Sequence, residues 1–137
     1  MHAQLLAQGA VPRFVGIKLG QVQSEGGNRI EAEVSMETMP SVLWDGMIVP
    51  SGSNATEALS ESGHAMEFLK DQYRHCKTIL LLGSAPDLLK KAAIPAEDND
   101  PGLLRYNAAA LDEAIKAFIA ALSQHRHFAR ETDPPCV

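Results

Sequence analysis

Apolar residues along this chain fall into continuous runs and into three-to-four-residue periodicities, and the two kinds of segment alternate. The clearest run is Thr78-Ile79-Leu80-Leu81-Leu82. It shows no in-out alternation, which predicts a parallel strand covered on both faces. Gly46-Met47-Ile48-Val49-Pro50 reads as a second, short and fully buried strand, closed by Ser51-Gly52-Ser53-Asn54. Between these runs, Ala65, Phe68, Leu69 and Tyr73 recur at helical steps and predict a helix from Glu57 to His75. Asp87 to Ala93 is helical in composition. Leu111, Ile115, Phe118 and Leu122 mark one face of a last helix from Ala108 to His125.

The amino-terminal third is less regular. Leu5 and Leu6 belong to a short helix stopped at Gly9, and Val11 to Leu19 has strand composition. Gln21 to Ser24 and Arg29 to Val34 flank Glu25-Gly26-Gly27-Asn28, where glycine supplies positive φ, so a β-hairpin is expected. Pro95 to Gly102 reads as a surface loop, and 131–137, with Pro134-Pro135, as a flexible tail after a domain spanning 1–130. Alternating strands and helices with buried runs predict an α/β three-layer domain. In such folds sites form beyond the carboxyl ends of the strands. The expected pocket is therefore Ser51, Gly52, Ser53 and Asn54 with Gly83 and Ser84.

The chain has 137 residues and a net charge of -5, which gives a nucleic acid or an anionic membrane no electrostatic support. No apolar run approaches the roughly 20 residues needed to span a bilayer. The first ten residues lack a cationic and then apolar leader, so a cytoplasmic chain is expected. Cys76 and Cys136 are the only cysteines, which suggests neither a disulfide framework nor a zinc site.

The two strand ends carry a family pattern. Trp44-Asp45-Gly46-Met47-Ile48-Val49-Pro50-Ser51-Gly52-Ser53 resembles a strand of the class I amidotransferase-like (ThiJ/PfpI) superfamily. Arg74-His75-Cys76-Lys77-Thr78-Ile79-Leu80-Leu81-Leu82-Gly83-Ser84 resembles the strand leading to that superfamily's nucleophile elbow. Within it, the chain looks like the carboxy-terminal domain of large-subunit (clade 2) catalases. That narrower likeness rests on Leu19-Gly20-Gln21-Val22 before the hairpin, on both strands, and on the ending His125-Arg126-His127-Phe128-Ala129-Arg130.

The resemblance implies a flavodoxin-like three-layer sandwich with a mostly parallel sheet whose first strand is missing here. It places Gly83 where the superfamily has its attacking Cys, so no catalytic residue is expected. Ser84, one position on, and Cys76, before the strand, are the remaining candidates for a nucleophile. It further implies that haem belongs to a separate preceding domain, with no cofactor in this chain. The partners it implies are that catalase core and a homo-oligomer. The function to expect is a non-catalytic accessory role in a hydrogen-peroxide-detoxifying parent. The alternatives are a ThiJ/PfpI-like hydrolase or deglycase, and a chaperone-like protein.

Candidate metal and haem ligands are weak. His125 and His127 are spaced H-x-H, and helical residues two apart do not share a face. They are read instead as cations at a helix carboxyl end. Tyr73 and Tyr106 are the only tyrosines and lack the apolar setting of an axial ligand.

Overall fold

The computed structural model describes residues 1–24 and 26–137. Its centre is a three-stranded parallel sheet of β5 (Gly46–Val49), β6 (Thr78–Leu82) and β7 (Leu103–Tyr106), in that order. Because successive strand residues point to opposite faces, β6 feeds two separate cores. Ile79 and Leu81 join Leu69, Tyr73, Leu88 and Leu89 on one side, from helices α3 (Gly63–Arg74) and α4 (Asp87–Lys91). Leu80 and Leu82 join Ala114, Ile115 and Phe118 of α5 (Leu111–Leu122) on the other, with Leu5 of α1 (His2–Ala7). All five β6 residues are buried. Each of its apolar side chains withdrawn from water contributes about 1.5–3 kcal/mol. The chain is thus an α/β sandwich of helix, sheet and helix.

Several expectations are adjusted by the packing. The helix expected over Glu57 to His75 is two helices, α2 (Ser53–Glu61) and α3. Ser62 is extended between them, and its hydroxyl accepts from the Ala65 amide at 3.3 Å, capping the second. The strand at Gly46 is buried only at Val49, because β5 has a neighbour in this sheet on one side alone. Strand β7 was not anticipated. Its first two residues are apolar, but Arg105 follows and reaches out to Asp98 at 3.3 Å. The last helix stops at Leu122 rather than at His125, whose φ of 64° is left-handed.

The amino-terminal third forms two small sheets. Within the stretch Val11 to Leu19, only β1 (Val15–Gly16) is a strand, pairing parallel with β4 (Val34–Ser35). Pro12 has no amide hydrogen to give to a ladder, and Leu19 is exposed. The expected hairpin is present as β2 (Gly20–Gln23) against β3 (Arg29–Ala32), antiparallel, with Val22 opposite Ile30. Ser24 donates to the Asn28 carbonyl at 2.8 Å and Gly27 takes a φ of 78°. Glu25, part of the expected turn, lies outside the described residues. Every β2 residue is exposed, as is all of β3 except Ala32.

Candidate functional site

The carboxyl ends of β5 and β6 come together, as the fold requires. Gly83 follows β6 with φ at +58°, a left-handed conformation that L side chains rarely adopt. The turn after β6 is thus left-handed and carries no side chain. A Cβ built there would stand 2.7 Å from Cβ of Ser51, so a side chain at position 83 would overlap Ser51. The Gly83 amide is also committed, donating to the Tyr106 carbonyl at 2.9 Å.

Ser84 is bonded to a hydroxyl rather than to a base. Its Oγ lies 2.9 Å from Oγ1 of Thr56, at the edge of a cavity of about 340 Å3. Ser53, Thr56 and Ser84 line this cavity together with Glu57, Asp87 and Lys91. No histidine is among its lining residues, and a serine hydroxyl needs an adjacent base to attack. Of the residues expected to form a pocket, Ser53 and Ser84 line this one. Ser51 packs on Gly83, and Gly52 (φ 149°) turns the chain into α2, where its carbonyl accepts from Thr56 at 2.8 Å. Asn54 sits exposed in the first turn of α2.

Cys76 lies at the opposite end of β6, buried and with φ at 58°. Burial pushes its thiol pKa up, and the nearby Arg130 guanidinium only partly offsets this. That is the reverse of an activated thiolate. The Cys76 carbonyl instead accepts from the His127 amide at 2.7 Å, beginning a clasp that closes the domain. Nε2 of His127 lies 2.9 Å from Oγ1 of buried Thr78. Arg130 grips Asp100 with both arms, Nε to Oδ2 at 2.5 Å and Nη2 to Oδ1 at 2.9 Å. Its third nitrogen donates to the Lys77 carbonyl at 2.6 Å, and the guanidinium covers the Tyr73 ring at 4.9 Å.

His127 is therefore a buried neutral side chain, not a helix-end cation. Burial, and after it Arg130, hold its pKa below the ordinary imidazole value. The H-x-H pair is split, with His125 exposed and His127 inside. Sequence reasoning singled out the His125–Arg130 ending without assigning it this closing role.

The chain is similar to known proteins over nearly its whole length. A family model described as the C-terminal domain found in long catalases matches residues 1–132. The chain belongs to that family. It is 36% identical over 127 residues to catalase HPII of Pseudomonas putida, covering 93% of this chain and 17% of that protein. Catalase HPII of Mycobacterium avium is 38% identical over 124 residues, covering 83% of this chain and 18% of that protein. The chain thus spans less than a fifth of the length of these catalases. Two solved structures share its fold at low identity. A ThiJ/PfpI domain protein from Brachyspira murdochii aligns with a TM-score of 0.72 and 9% identity, over 90% of this chain and 86% of that one. A ThiJ/PfpI family protein from Pseudomonas syringae aligns with a TM-score of 0.69 and 18% identity, over 93% and 62%.

The side chains of this catalase C-terminal domain do not fit haem. Tyr73 is packed under Arg130, and burial followed by Asp100 raises its pKa. Tyr106 packs against the α5 core. The cavity beside Tyr73 measures about 120 Å3, far short of a porphyrin. Among the described residues no three His, Cys, Asp or Glu side chains are grouped to hold a metal ion. No described helix of the domain is long and apolar enough to cross a membrane.

Proposed function

We propose that this chain is a non-catalytic accessory domain of a large-subunit haem catalase. It supports assembly or stability of a parent whose core removes hydrogen peroxide in the cytoplasm and carries the haem. The observation that carries this reading is the turn after β6, where Gly83 offers nothing to attack with and a side chain would overlap Ser51. The likeness to long catalases over nearly the whole chain supports the choice of parent. A homo-oligomer would come from that parent, and we infer a domain spanning 1–130 followed by a tail, 131–137, whose end at Val137 packs back against the core.

The test is to assay the purified chain for peroxide dismutation and for hydrolysis of ester and glycated substrates. Neither activity is expected. Oxygen evolution by the haem-free chain would overturn the reading. Hydrolysis abolished by Ser84→Ala or Cys76→Ala would favour a ThiJ/PfpI-like hydrolase instead.

A further inference from the structure

The hairpin is two-faced and its apolar face is only partly covered. By the β2–β3 register, Gly20, Val22, Ile30 and Ala32 share one face, while Gln21, Gln23, Arg29 and Glu31 share the other. Such alternation is the pattern of a ribbon with one side buried. Yet Val22 is 55% exposed and Ile30 36%. Only Ala32 is tucked in, close to Gly16. A two-stranded ribbon with no cover is marginal in water. Among the described residues, every exposed large hydrophobic except Phe128 lies within 1–43, so the uncovered surface is concentrated at one end of the sequence.

We propose that the Val22–Ile30 face of the hairpin docks on the catalase core that precedes this domain in long catalases. This rests on the accessory-domain reading and names the surface through which it acts. Size argues for that occupant over a second copy. Two four-residue strands offer far less than the about 800 Å2 per partner that a stable free complex needs. A core on the same polypeptide is held at an effective concentration in the millimolar range, so a small apolar contact suffices. The relatives supply such a core, since this domain fills only 17% of the Pseudomonas putida protein. The polar face, with Arg29 and Glu31, stays in water.

The experiment measures amide hydrogen exchange over 20–32 in two proteins. One is the isolated 137-residue chain, and the other is a chimera with this chain replacing the matched segment of Pseudomonas putida catalase HPII. The isolated chain is expected to sediment as a monomer with a rapidly exchanging hairpin. In the haem-loaded chimera the hairpin should be protected roughly ten- to hundredfold, and Val22→Lys with Ile30→Lys should abolish this. If the chimera fails to load haem, the aligned hairpin of intact Pseudomonas putida catalase HPII is measured instead, with the same expectation. A monomer–dimer equilibrium broken by Val22→Lys would overturn the proposal in favour of a second copy. A hairpin as unprotected in the chimera as in isolation would also overturn it. If other surfaces of the domain gain protection while the hairpin does not, the docking face is wrong and the accessory reading stands. If no surface gains protection, both fall.

Discussion

Cβ of Ser51 lies 2.7 Å from where a Cβ on Gly83 would be, so the ends of two neighbouring strands approach this closely only because position 83 has no side chain. Gly83→Cys would meet two costs, the left-handed φ and the overlap with Ser51. Together they should lower stability by roughly 2–6 kcal/mol. Adding Ser51→Gly should recover the steric part but not the backbone part, and the new thiol should then react with iodoacetamide. Urea denaturation and alkylation rates check both. Equal stability of the single and double variants would show that Ser51 is not the obstacle.

The Arg130–Asp100 pair is sequestered, with side-chain exposures of 4% and 8%. Removing one partner leaves an uncompensated buried charge. Arg130→Ala should therefore cost about 3–5 kcal/mol, whereas Arg130→Met with Asp100→Leu should cost much less. Because water is excluded, the loss should change little with added salt. A cost below that of ordinary surface ion pairs would mean that Tyr73 and the Lys77 carbonyl do not need this cation.

His127 makes stability depend on pH in a definite direction. Its pKa in the folded chain lies below the ordinary 6.5. Above that value the imidazole is neutral in both states and contributes no pH dependence. As pH falls below 6.5, the unfolded chain binds a proton that the folded chain resists, so stability drops until the folded pKa is passed. His127→Gln should flatten the profile of urea midpoints between about pH 7 and pH 5. An unchanged slope would assign the acid sensitivity to other groups.

The central fold was legible because β6 carries its own instruction. A five-residue run rich in leucine, too short for a helix and flanked by helical periodicities, reads as a strand covered twice, and that places the helices on both sides. Edges and breaks were less visible. The partial exposure of β5 depends on which strands flank it, and sequence composition does not encode that. The break at Ser62 turns on one hydroxyl capping one amide, upstream of the periodic Ala65, Phe68, Leu69 and Tyr73 that marked the helix. At the turn after β6, the absence of a side chain could be read from Gly83 itself. The close approach of Ser51 could not, since the two residues are brought together only by the β5–β6 register. The clasp was hidden for the same reason. His127 and Arg130 look like ordinary surface cations until Thr78 and Asp100 are placed beside them.

The clasp also bears on the order of folding. Thr78 and His127 are 49 positions apart, and Lys77 and Arg130 are 53 apart. Contacts of such span close longer loops than the β5–β6 and β6–β7 pairings and fasten a sheet that those more local pairings can build first. The carboxyl-terminal segment should therefore engage after the rate-limiting step. Loosening it should hasten unfolding while leaving the refolding rate almost untouched, so it governs how long the domain survives rather than how quickly it is made.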